Sequence, residues 1–180
     1  CDEMYRNGLN KIILFSGHGG NRFFLNLFVQ TLPEKQKPYV VYFVQSPYFP
    51  DDTSMLDTTE IGHACEWEVS LIRAIDDSLV NLDQAPPEPF TNLRRNKDLA
   101  AVGAYSQVDW YSQYPHMVVG DARPATVEKG EALLARDVAK LVKAIRAIKA
   151  DTVSPQLVVE FNERINKPQS PAFWTKGNAE

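Results

Sequence analysis

The chain of 180 residues is long enough for one domain with a buried core. Its 44% hydrophobic and 23% charged residues are ordinary for a soluble globular protein, and a net charge of -4 with scattered Lys and Arg gives no basic stripe for nucleic acid. No apolar run approaches a membrane span, no signal-peptide pattern opens the chain, and two cysteines, Cys1 and Cys65, make neither a disulfide framework nor a zinc ribbon.

Residues Cys1 to Asn10 read as the last turns of a helix, with Asn7-Gly8 as its C-cap. A domain rarely begins there, so earlier sequence is expected to be missing. Ile12, Ile13, Leu14 and Phe15 form a continuous apolar run, the pattern of a strand buried on both faces. The Gly-rich turn 16–21 leads into an apolar helix over Arg22 to Leu32, stopped near Pro33. Pro38 to Gln45, rich in β-branched and aromatic residues, is a second strand. A strand–loop–helix–strand order predicts a parallel pair with a right-handed crossover.

Ser46 to Gly62 is a polar loop, and His63 to Ile75 has helical composition. Residues 76–90 carry Pro86, Pro87 and Pro89 and read as irregular. Leu93 to His116 has aromatics without a clear period and reads as a long excursion with short strands; such loops are usually functional. A short strand before Gly120-Asp121 is followed by a turn. A long helix over Ala125 to Ala150 starts at Thr126 and shows Leu134, Val138, Leu141, Val142, Ile145 and Ile148 on one face. Gly130 inside it needs a packing reason, because glycine costs about 1 kcal/mol there relative to alanine. Ser154 to Asn166 is a short final helix. The whole reads as a single domain over residues 1–166, with 167–180 a mobile tail.

Three segments carry chemistry. In Ser16-Gly17-His18-Gly19-Gly20-Asn21, His18 lies just past the C-terminal end of a parallel strand, the edge where ligands bind in open α/β sheets. The glycines allow a sharp turn or a close approach, and a neutral imidazole there suits a metal. The plainer alternative is a Gly-rich turn with an incidental surface histidine. In His63-Ala64-Cys65-Glu66-Trp67-Glu68-Val69-Ser70, a histidine and two carboxylates provide the inventory of a hydrolase. If the helix starts at His63, Glu66 shares its face; if His63 precedes the helix, that geometry is not fixed. The plainer alternative is acidic residues near a positive helix end. The third segment, Val118 to Glu131 around Gly120-Asp121, reads as a loop bordering the site. His116, Trp110 and Tyr111 are minor candidates for its wall.

Together the three segments resemble the creatininase (creatinine amidohydrolase) family. Its members have an N-G-H-G-G-N-like turn, with Ser16 here in place of the first Asn. They have an H-A-G-x-x-E-T-S-like segment, with Cys65 for Gly and Val69 for Thr, and a G-D-P-x-x-A-T-x-x-K-G-like segment, with Ala122 for Pro. The resemblance implies an α/β fold, a three-layer sandwich with a mainly parallel sheet, here lacking its N-terminal part. It implies a metal-dependent hydrolase of a cyclic or other non-peptide amide C–N bond. The cofactor would be a divalent metal, zinc or manganese first and iron after them, in a dinuclear site in the complete protein.

Carried over by position, His18 and Glu68 are the metal ligands, His63 the proton shuttle, and Glu66 an alternative acid–base or supporting group. Gly19, Gly20, Asn21, Trp67 and Asp121 fall on the substrate side. The resemblance also implies a small-molecule amide substrate and a homo-oligomer, hexameric in relatives, with no nucleic acid and no membrane partner. A cytoplasmic location is expected, an exported protein being the alternative. An upstream E-x-H…D ligand segment of the family has no counterpart here, so this chain supplies two ligands and is expected to hold metal poorly. A catalytic site usually takes three. Two other classes compete: a non-catalytic creatininase-like fragment or binding protein, and, more weakly, an unrelated phosphate binder at the Gly-rich loop. The latter lacks the Lys-Ser/Thr pair of a P-loop.

Overall fold

The computed structural model describes residues 1–45 and 53–167. The start of the loop 46–62 and the expected mobile tail lie outside them, apart from Lys167. The fold is α/β with a parallel sheet. Two compact units form, one from Cys1–Tyr48 with Lys140–Glu180 and the other from Phe49–Ala139.

In the first unit, a short helix α1 (Asp2–Arg6) ends at Asn7 and Gly8, the latter with φ +92°. Strand β1 (Lys11–Ser16) pairs in parallel with β2 (Val40–Gln45), Ile12 opposite Val41 and Ser16 opposite Gln45. Helix α2 (Asn21–Thr31) connects them, continuing into a single 3-10 turn at Leu32–Glu34. The strand–helix–strand order is thus as the apolar runs predict, but β1 is not buried on both faces: Ile13 and Leu14 are half-buried and Phe15 is exposed. Ile12 is fully buried, while Phe23, Phe24 and Leu27 of α2 are exposed.

The later part of helix α6 (Val127–Ala150) and helix α7 (Val153–Ile165) complete this unit. Lys11 ties them to β1: its ammonium donates to the carbonyl oxygens of Ile148 and Lys149 at 2.8 Å and of Asp151 at 2.5 Å. A cation on the last carbonyls of a helix satisfies acceptors that have no partner within the helix and opposes its dipole. Asp151 then accepts from the Val153 and Ser154 N–H groups at the start of α7, and from the Tyr42 hydroxyl at 2.8 Å.

In the second unit, α3 (Glu66–Ile75) crosses the first part of α6. Helices α4 (Lys97–Ala101) and α5 (Asp109–Gln113) are five residues each. The expected short strands in 93–116 are not formed among the described residues. The strand expected before Gly120 is reduced to one antiparallel bridge between Phe90 and Gly120. The α6 face matches the expected stripe at Ile148, which is buried, but differs elsewhere: Leu133 is buried, whereas Val138 and Val142 are exposed. The expected start is confirmed at Thr126, whose hydroxyl accepts from the Lys129 N–H. No helix among the described residues is long and apolar enough to cross a membrane.

Gly130 has the packing reason its position demanded. A Cβ there would overlap the Ser70 carbonyl of α3 and lie 2.7 Å from the Ala74 Cβ. In an open helix Gly→Ala gains about 1 kcal/mol. Here overpacking reverses the sign, and Gly130→Ala should lower the unfolding free energy by about 1–3 kcal/mol in a urea titration; an unchanged or raised midpoint would disprove the close crossing.

Candidate functional site

The first candidate cluster stands at the C-terminal end of β1. Ser16 is 4% exposed, and its hydroxyl organises the turn that follows. It accepts from the His18 N–H at 3.2 Å and the Asn21 side-chain amide at 3.1 Å, and donates to the His18 carbonyl at 3.1 Å. The Gln45 amide ties the end of β2 to the Ser16 carbonyl. His18 itself is exposed, and its Nδ1 accepts from the Gly20 N–H at 3.1 Å. The ring lies so close over Gly20 that a Cβ there would be 2.8 Å from the His18 Cε1. The absence of a Cβ at Gly20 thus gives the ring its place, and the Asn21 amide serves the turn.

The second cluster belongs to the other unit. Helix α3 begins at Glu66, with Cys65 as N-cap, so His63 precedes the helix. It is placed instead by backbone contacts. Its carbonyl accepts from the Val119 N–H at 2.9 Å, and Gly62 packs where a Cβ would lie 2.7 Å from the Val119 Cβ. Gly120, at φ +71°, leaves no room for a Cβ against the Glu60 carbonyl. Ala64 adopts φ +57°, a left-handed conformation that costs a non-glycine residue about 1–2 kcal/mol. That turn aims the Ala64 N–H at Glu68 Oε2, 2.7 Å away. The same carboxylate oxygen lies 3.4 Å from His63 Nδ1. This is ion-pair range, not a tight hydrogen bond; catalytic contacts often shorten only when substrate is bound.

Glu66, the alternative acid–base group, has another occupation. Its carboxylate has no solvent exposure and accepts from the Asp57 and Thr58 N–H groups at 2.9–3.1 Å and from the Thr58 hydroxyl at 2.8 Å. Lys129 donates to it at 2.5 Å and also reaches Asp57 and the Pro124 carbonyl. Burial pushes the Glu66 carboxyl up, but the bonds from Lys129, Asp57 and Thr58 outweigh it and hold it below the ordinary value. Burial lowers the Lys129 ammonium, and the bonds to Asp57 and Glu66 raise it beyond that loss. This arrangement suits holding a loop in place better than moving a proton.

Two expected substrate-side residues are also accounted for. Trp67 is 3% exposed and belongs to the core of its unit. Asp121 accepts from the Arg123 backbone and guanidinium, and Arg123 reaches on to the Pro87 carbonyl. Ser70, at the end of the second motif, is fully buried and accepts from the Thr126 N–H. Lys129 and Ser70 both stand in the motifs, but sequence reasoning gave them no role. A cation directly before a helix-interior glycine was the available signal for Lys129. For Asp57 and Thr58 no signal was present.

Among the described residues no group of three or more His, Cys, Asp or Glu side chains is placed to hold a metal ion. His18 and the His63–Glu68 pair stand in different units. The described donors therefore do not fit a complete metal centre.

The creatinine amidohydrolase family model, Creatininase, matches residues 1–145. The chain belongs to the creatininase family. Solved structures agree on the fold. One is a Bacteroides fragilis NCTC 9343 protein assigned as a creatinine amidohydrolase, with TM-score 0.67 and 21% identity over 84% of this chain and 59% of that one. A creatininase variant complexed with creatine has TM-score 0.62 and 23% identity over 83% of this chain and 61% of that one. A creatininase variant of Zn-Zn type has TM-score 0.59 and 24% identity over 81% and 58%. The chain therefore spans about three-fifths of the length of these relatives. Among curated proteins, none matches.

The Glu66 network makes a pH prediction. A folded-state pKa held below the ordinary 4.5 contributes stability that is full above that value and lost as pH falls through the folded pKa. Glu66→Gln should flatten this acid limb in denaturation midpoints taken between pH 7 and 3. Lys129→Met, which leaves the carboxylate unpaired, should cost about 3–5 kcal/mol at pH 7.

Proposed function

We propose that the chain is part of an amidohydrolase that cleaves a cyclic amide or another non-peptide amide C–N bond. Family membership gives the reaction type, and the His63–Glu68 pair carries the reading. In hydrolysis a water oxygen adds to the carbonyl carbon, the C–N bond breaks, and the nitrogen leaves with a proton. His63, exposed and at a fixed backbone turn, is the group that relays that proton. Glu68, held by the Ala64 N–H, stands at Nδ1 to orient the imidazole and leaves Nε2 for the substrate. Orienting the base by a carboxylate is the recurring logic of such pairs. A compact cyclic amide related to creatine is the first substrate class to test, because a creatininase neighbour holds creatine.

A divalent metal, zinc first, is the cofactor we infer for the complete protein, since one neighbour is of Zn-Zn type. His18 in the first unit and Glu68 Oε1 in the second are each suited to donate to a metal. The described donors do not complete its site. A homo-oligomer and a cytoplasmic location remain part of the proposal. The second reading is a creatininase-like binding protein without turnover, favoured by the same incomplete donor set.

A panel of cyclic amides assayed with the zinc- or manganese-supplemented protein separates the two. Turnover should fall about 10²–10⁴-fold in His63→Ala, and by a smaller factor in Glu68→Gln. Wild-type binding of an amide without any hydrolysis would establish the second reading, and full activity in His63→Ala would remove His63 from the mechanism.

A further inference from the structure

We propose that Ser16 is the positioning residue of His18, and that it fixes the imidazole over Gly20 so that Nε2 is the atom through which His18 acts. The inference rests on the reading of His18 as a site residue. A serine hydroxyl has one proton to donate and two lone pairs to accept with. In the structure all three are engaged: the proton with the His18 carbonyl, the lone pairs with the His18 N–H and the Asn21 amide. The hydroxyl thus grips the backbone of His18 on both sides, and Asn21 holds it from the first residue of α2. At 4% exposure, water is poorly placed to replace any of the three.

With the backbone held, the ring lies over Gly20. Nδ1 accepts from the Gly20 N–H, and the space the ring occupies is the space a Gly20 Cβ would need. An Nδ1 that accepts puts the single proton of the neutral ring on Nε2. No described residue bonds Nε2, so this edge of the ring meets whatever binds at the end of β1. The serine does this where the family pattern has asparagine.

The test is nitrogen NMR of the His18 ring in the full chain at pH 8, with amide exchange measured at Gly20. The wild type should show an accepting Nδ1 and a protonated Nε2. In Ser16→Ala the two nitrogens should converge toward a tautomer average, and Gly20 exchange should rise about fivefold, the loss of one modest hydrogen bond. Ser16→Thr, which keeps the hydroxyl, should restore both readouts. Asn21→Ala gives a smaller change of the same kind, and serves if Ser16→Ala does not fold. Ring nitrogens and Gly20 exchange that stay at wild-type values in both variants overturn the inference. An inactive wild type would sink the amidohydrolase reading and leave this result standing. With turnover present, Ser16→Ala should lower kcat more than it raises KM, and Ser16→Thr should recover it.

Discussion

A carboxylate with no solvent exposure must find its charge and its hydrogen bonds inside the protein, and the second unit is arranged around that demand. Glu66 collects two backbone N–H groups, a hydroxyl and an ammonium. These come from the loop before α3, which supplies Asp57 and Thr58, and from the first turn of α6, which supplies Lys129. Each partner alone is weak in water, but an unpaired charge in this place would cost several kcal/mol. The network therefore defines where residues 57 and 58 run. The chain then goes through Glu60 and Gly62, which press against Gly120 and Val119, to reach His63. The position of the proposed proton relay is a consequence of where a buried charge finds its partners.

The first unit obtains its order differently. Its main constraint is a parallel strand pair whose ends are closed by polar side chains. Lys11 at the start of β1 gathers the last carbonyls of α6, and Ser16 at its end gathers the turn that carries His18. One strand of six residues thus fixes a helix terminus at one end and a candidate site residue at the other. A strand held in a parallel pair positions such end groups more firmly than a loop alone does.

Much of this was legible in the residues. Continuous apolar runs gave β1 and β2, and turn chemistry at Asn7-Gly8 and Thr126 gave element boundaries within a residue or two. Gly130 announced a close helix crossing because nothing else justifies glycine there. The family was legible from three motifs in order. What remained hidden has physical causes. Helices of five residues, such as α4 and α5, are too short for a hydrophobic period to show. A single stripe does not describe α6, because the two parts of that helix belong to different compact units. The role of Glu66 depends on a lysine 63 positions away, and composition cannot distinguish a carboxylate that works from one that is tied down. The bond of Glu68 to the Ala64 N–H and its approach to His63 were also hidden, because position in the sequence shows neither.

The meeting of α3 and α6 at Gly130 has a mechanical consequence. Backbone touches backbone there, so the contact acts as a fulcrum rather than a cushion. Ser70, the point of support, sits four residues from the start of α3, a lever arm of about 6 Å. A tilt of about 3° about that point moves the start of the helix by only about 0.3 Å. A longer arm, or a crossing spread over bulky side chains, would amplify the same tilt. The glycine keeps the pivot close to the residues whose aim matters, and Glu68, two residues from Ser70, has a shorter arm still.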